Sequence, residues 1–178
     1  MTANPSIGAT CMSWWRTGIV GEGGPARRSR AQLRRAASST AALCLSATHD
    51  LNRRLIEAGH DLRRRRDGPE RLALIAVALA HVAEDSPDNA AKRFGRLRTK
   101  SDRPMLSGVR FDALVRAKEP SQLLRPLVRS LQIVDGRVNV VKLATDLYWW
   151  DDKVRTVWCF DYHGAADAKP TSSEEESA

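Results

Sequence analysis

One stretch constrains the fold more than any other. Between Glu70 and Glu84, the residues Leu72, Ile75, Leu79 and Val82 recur at spacings of 3, 4 and 3, and Leu74 and Val77 widen the same face. A helix with so broad an apolar face belongs in a core. No segment of the chain shows the period of two that marks a half-buried strand, so the fold class reads as all-α.

Other segments follow the same helical pattern. Gly21, Gly23, Gly24 and Pro25 interrupt the chain after a short apolar stretch around Trp14 and Trp15, and a helix of good formers is expected over Ala26 to Ala37. A second should run from about Ala41 to Ala58 and stop at Gly59. Arg63 to Arg66, followed by Asp67, Gly68 and Pro69, reads as an exposed basic loop. Beyond the core helix, Asp85, Ser86 and Pro87 turn the chain into a short basic helix through Phe94 and Leu97.

Thr99 to Leu106, with Pro104 inside it, is the expected linker. It separates an N-terminal helical domain (1–100) from a C-terminal one (105–164). The latter has four segments in quick succession, at 109–118, 121–134, 140–150 and 154–162. Connections this short favour antiparallel neighbours, and therefore a four-helix bundle. Its stripes agree: Leu124, Leu127, Val128 and Leu131 share one side, and Val140, Leu143, Leu147 and Trp150 are spaced by 3, 4 and 3. Two small helical bundles suit 178 residues of 42% hydrophobic content. Residues 165–178 are polar and acidic and are expected to be a disordered tail.

The charge speaks to partners. The chain carries +8, with 23 Arg against 6 Lys, and its last fourteen residues contribute −3, which leaves +11 on residues 1–164. Such a balance favours a polyanion. A membrane fits poorly, because the longest apolar run, Leu72 to Ala80, is half of what a bilayer span needs and lacks Trp or Lys/Arg flanks. No positive patch precedes a sustained apolar stretch at the N-terminus, and the three cysteines, Cys11, Cys44 and Cys159, are odd in number and far apart. Both point to a cytoplasmic protein without a disulfide framework.

Catalytic and metal chemistry finds little footing, so no enzyme, metal or cofactor is expected. His49, His60, His81 and His163 have no ligand spacing among themselves or with cysteine. Asp151 and Asp152 sit where the following helix needs a cap and negative charge at its N-terminus. Gly21 to Gly24 lacks the lysine and Ser/Thr of a phosphate loop, no serine stands in a nucleophile elbow, and Cys44 and Cys159 read as inert core thiols.

The arginines are better placed for function. At about 100° per residue, Arg27, Arg28, Arg30, Arg34 and Arg35 fall within an arc of roughly 160°, with Leu33 and Ala36 opposite. Like charges three and four apart repel by a few tenths of a kcal/mol per pair. A merely solvated face would interleave glutamates, and none occurs between Gly24 and Thr48. Arg110 and Arg116 flank a Phe111, Leu114, Val115 stripe, and Arg125 and Arg129 lie one turn apart beside the leucines. The planar guanidinium suits phosphate because it makes two parallel hydrogen bonds. Trp149, Trp150 and Trp158 are read as core anchors rather than stacking platforms. A helical DNA-binding transcriptional regulator is the competing reading. It would need a Gly-bearing turn between two short helices, followed by base-reading side chains, and no such pattern is present.

The order of motifs in the C-terminal half, VRFDALVRAKEP (Val109 to Pro120), LLRPLVRSLQIVDGRVNVVKLATDLYWWDD (Leu123 to Asp152) and VRTVWCFDYHG (Val154 to Gly164), resembles the CasB family, the small subunit of the type I-E CRISPR surveillance complex Cascade. Trp14, Trp15 and RAQLRRA (Arg30 to Ala36) add an N-terminal match. The resemblance implies a non-enzymatic helical protein. Two copies would sit beside the other Cascade subunits, contacting guide RNA and the target and displaced (non-target) DNA strands and steadying the R-loop. It also implies that Arg34, Arg35, Arg110, Arg116 and Arg129 are nucleic-acid contacts. Two departures stand out: Asn139 occupies a position where aspartate is usual, and Pro126 falls inside a helix, where a kink is expected.

Overall fold

The computed structural model describes residues 4–165, so residues 166–178 of the acidic tail lie outside it. Among the described residues the fold is helical: α1 (Ile7–Gly18), α2 (Gly24–Arg35), α3 (Ser39–Leu43), α4 (Ser46–Glu57), α5 (Gly68–His81), α6 (Ala90–Gly95), α7 (Gly108–Arg116), α8 (Pro120–Ile133), α9 (Val140–Trp149) and α10 (Asp152–Gly164). A short 3-10 turn at Leu62–Arg64 precedes α5.

The apolar helix α5 is the axis of the molecule. Every residue from Arg71 to His81 is buried, and α2, α3, α4, α8 and α9 all pack against it. One hydrophobic core runs from Ile7 on α1 to Tyr162 on α10. The boundary expected at residues 100–105 therefore divides the sequence but not the core: α1 packs on α9, α5 on α8, and α6 on α10. The four C-terminal helices are joined among themselves as well. Phe111 of α7 stacks on Tyr162 of α10 with ring centroids 3.9 Å apart, and Trp150 donates through Nε1 to the Ala117 carbonyl at 2.7 Å.

The segment read as a linker folds back on α6. Leu106 donates its amide to the Phe94 carbonyl at 2.9 Å and is fully buried, and Met105 donates to Arg96 at 2.8 Å. Backbone bonds of this kind satisfy polar groups that an open linker would leave to water.

Two helices differ from the sequence expectation. The stretch 1–12 has no evident periodicity, yet Ile7 to Gly18 is α1, capped by Ser6, whose hydroxyl accepts from the Ala9 amide at 3.2 Å. Gly8 explains both the weak signal and the helix: a Cβ there would lie 2.6 Å from Val141 Cγ1 and 2.7 Å from the Val141 carbonyl oxygen. Glycine lowers helix propensity, but only glycine lets α1 lie this close to α9. The expected single helix over Ala41 to Ala58 is broken between Leu43 and Ser46. There the Thr48 hydroxyl donates to the Ala42 carbonyl at 2.7 Å and takes the place of the helical partner.

Among the described residues, one pair of two-residue strands completes the fold. Glu84–Asp85 (β1) runs parallel to Arg137–Val138 (β2), too short for any alternation to show in sequence. Elsewhere local expectations hold. Asp151 and Asn139 cap α10 and α9, accepting from Val154 and Lys142 at 2.9 and 2.8 Å. Helix α8 continues through Pro126, and the Pro126 carbonyl accepts from the Ser130 hydroxyl at 2.8 Å.

Candidate nucleic-acid interface

Helix α2 turns Ala26 and Leu33 inward and leaves Arg27, Arg28, Arg34 and Arg35 exposed, with Arg30 half-buried. The basic face divides into two sets. Arg30 and Arg34 reach across to the C-terminus of α5: Arg34 donates through Nε to Ala80 at 3.1 Å, and Arg30 donates to Ala80 and Val82 at 3.4 Å each. They satisfy carbonyls that a helix end leaves without partners, where its dipole is negative. Arg27, Arg28 and Arg35 make no side-chain hydrogen bond or ion pair among the described residues.

His81 sits in the same corner, buried, with Nε2 unpartnered among the described residues. Burial, and after it the charges of Arg34 and Arg30, hold its pKa down to about 4. At neutral pH this corner therefore carries two guanidinium charges and no third cation from the imidazole.

Helix α7 buries Phe111 and Leu114 and exposes Arg110 and Arg116. Helix α8 buries Leu123, Leu124, Leu127 and Leu131 and exposes Arg125 and Arg129. None of these four arginines has an acidic partner among the described residues. Because α7 packs on α8, and α8 and α2 both pack on α5, three sets of unneutralised arginines surround one rigid core.

Arg63, Arg64 and Arg66 are exposed, as expected, but the run also makes fixed contacts. Asp61 accepts from Arg63 at 2.9 Å and pairs with Arg64 at 3.6 Å. Arg65 donates to the Tyr148 carbonyl at 3.0 Å, and the buried Arg71 donates to Leu147 and Tyr148 at 2.8 and 3.2 Å. The end of α9 is thus capped by arginines as the end of α5 is. Arg155 similarly donates to the Val115 carbonyl at 3.1 Å. The bonds to the Tyr148, Leu147 and Val115 carbonyls escaped sequence reasoning because each joins residues at least 40 positions apart.

The basic helix expected through Phe94 and Leu97 ends at Gly95, and the charge continues past it. Residues 92–103 hold six cations, Lys92, Arg93, Arg96, Arg98, Lys100 and Arg103, against Asp102 alone. Arg96 pairs with Asp88 at 2.7 Å, while Lys92, Lys100 and Arg103 are exposed.

Of the tryptophans expected in the core, Trp150 and Trp158 are buried, and Trp149 is half exposed. The expectation for cysteine is corrected. Cys44, at the C-cap of α3, is exposed and Cys159 on α10 is only half-buried, whereas Cys11 is the buried thiol, its pKa pushed up to about 12 by burial. Among the described residues no three His, Cys, Asp or Glu side chains gather as a metal site would need, and no helix is long and apolar enough to cross a membrane.

Comparison with known proteins adds two findings. The family model described as CRISPR-associated protein Cse2 matches residues 29–163. The fold is similar to that of a chain in a crystal structure of E. coli Cascade bound to a PAM-containing double-stranded DNA target, at 17% identity and a TM-score of 0.59, covering 89% of this chain and 95% of that one. No curated protein matches significantly.

Proposed function

The chain belongs to the CRISPR-associated protein Cse2 family, the one its motifs resemble under the name CasB, and from that premise we propose that it is a non-catalytic subunit of a cytoplasmic Cascade complex. In this reading it works beside the other Cascade subunits and a second copy of itself, clamping guide RNA and the target and non-target DNA strands by their phosphates and steadying the R-loop.

The observation that carries the reading is the set of exposed arginines on α2, α7 and α8 that have no acidic partners among the described residues. Each is fixed to a helix packed on the core, so binding costs little ordering. A guanidinium fork bonded to phosphate reads no base sequence, so sequence choice would be left to guide pairing. Arg27, Arg30, Arg34, Arg35, Arg110, Arg116, Arg125 and Arg129 are the proposed contacts. Arg30 and Arg34 would serve with the Nη atoms not engaged by α5.

The test is binding of duplex and single-stranded nucleic acid over a salt series, with Arg27, Arg35, Arg110 and Arg116 changed to Glu. Affinity should fall steeply with salt, ignore base sequence, and collapse in the variant together with the salt slope. Much tighter binding to one duplex sequence at physiological salt would instead favour a regulator of transcription.

A further inference from the structure

Trp149 stands apart from the other four tryptophans. Trp14, Trp15, Trp150 and Trp158 are 1–6% exposed, but Trp149 is 50% exposed at the C-terminal end of α9. Its indole is held in place. Tyr148 meets it edge-on with ring centroids 4.9 Å apart, and the Arg65 guanidinium lies 5.3 Å from the Tyr148 ring and 5.7 Å from that of Trp149. Arg65 is in turn fixed by the Tyr148 carbonyl at 3.0 Å and by Asp67 at 3.6 Å.

Flanking Arg65 in the chain are the remaining arginines of the 63–66 run. Arg63 and Arg64 share one carboxylate, Asp61, and their side chains are 65% and 86% exposed; Arg66 is exposed and makes no ion pair among the described residues. Most of their positive charge is thus unneutralised, one or two residues along the chain from the arginine that lies against the half-exposed Trp149 ring.

We infer that Trp149, braced by Arg65, is a stacking platform for an unpaired nucleobase, with Arg63, Arg64 and Arg66 taking the flanking phosphates of a single strand. This rests on the proposed nucleic-acid role but concerns a surface separate from the arginines of α2, α7 and α8. The chemistry requires both parts together. An aromatic face accepts any base because every base has a π face, and a cation against the ring adds to the attraction. A paired base hides both faces in the duplex stack, so the ligand is single-stranded. DNA and RNA offer the same base and phosphate groups here.

Single-stranded oligo-dT and oligo-U, and an abasic oligonucleotide of equal length and charge, distinguish stacking from charge alone. With the full-length chain, both base-bearing strands should quench the Trp149 fluorescence and bind at least about fivefold more tightly than the abasic strand. Trp149→Leu should bring that ratio close to one, and Trp149→Phe, which keeps an aromatic face, should retain most of it. Circular dichroism of both variants checks that the fold persists. Quenching by only one of the two strands identifies which nucleic acid the platform serves. Equal binding of abasic and base-bearing strands, an unchanged ratio in Trp149→Leu, or equal quenching by a polyglutamate peptide would overturn the platform. Changing Arg27, Arg35, Arg110 and Arg116 to Glu should weaken all strands alike and leave the ratio intact. If strands bind without base dependence, only the platform falls; if no strand binds, the phosphate clamp falls with it.

Discussion

Arg34 on α2 donates through Nε to the carbonyl of Ala80 at the end of α5, 3.1 Å away. A residue expected to serve nucleic acid thus also closes the central helix of the fold. Alanine at Arg34 or Arg30 should lower stability by about 0.5–2 kcal/mol, the range for a cation at a helix C-terminus. Alanine at Arg27 or Arg35, exposed and without a partner among the described residues, should stay within about 0.5 kcal/mol. Urea denaturation of the four variants separates the two sets.

His81 makes the same corner sensitive to acid. Its pKa is lowered from 6.5 to about 4, chiefly by burial, so between those values the unfolded chain binds the proton and the folded one does not. Stability is full above pH 6.5 and declines as pH falls toward 4, by up to about 3 kcal/mol from this group. His81→Leu should flatten the thermal stability profile over that window. A profile unchanged from the parent would refute the assignment.

Asp146 is buried on α9 and accepts from Trp158 Nε1 at 2.8 Å while holding Lys142 Nζ at 2.8 Å. Asp146→Ala leaves a buried indole N–H without an acceptor and should cost about 2–3 kcal/mol. The loss is measured as a shift of the denaturation midpoint, and a cost below 1 kcal/mol would mean that water replaces the carboxylate.

Gly95 lets α6 touch α10, since a Cβ there would lie 2.0 Å from the Tyr162 carbonyl oxygen. The obstacle is backbone and cannot swing aside. Gly95→Ala should therefore cost about 3 kcal/mol or more and loosen the Phe111–Tyr162 stack, seen as a change in near-ultraviolet dichroism.

Arg71, 4% exposed at its side chain, joins Asp67 to the Leu147 and Tyr148 carbonyls. Its hydrogen bond holds the Asp67 carboxyl below the usual carboxylate range, so that stabilisation is present above the ordinary value of 3.8 and is lost as pH falls below it. Arg71→Leu should cost about 1.5–3 kcal/mol at neutral pH, because the Leu147 and Tyr148 carbonyls and the partly exposed Asp67 lose a charged donor. It should also remove part of the acid sensitivity below pH 4 in equilibrium unfolding.

The helices were legible because their causes are local. The 3, 4, 3 spacing in α5 and α9, Asn139 and Asp151 at the caps of α9 and α10, and the arc of arginines on α2 are all set by residues a turn or two apart. The family was legible for the same reason, in the order of short motifs. The sequence by itself therefore determined an all-helical, arginine-faced chain. Which arginines remain available was decided by the tertiary structure alone. Arg34 meets Ala80 across 46 residues, Arg65 meets Tyr148 across 83 and Arg71 meets Leu147 across 76. Nothing in the spacing of a helix face records where another helix will end. Only packing brings an unsatisfied carbonyl within reach of a guanidinium, and only packing decides that Trp149, expected in the core, stays half in water beside the buried Trp150.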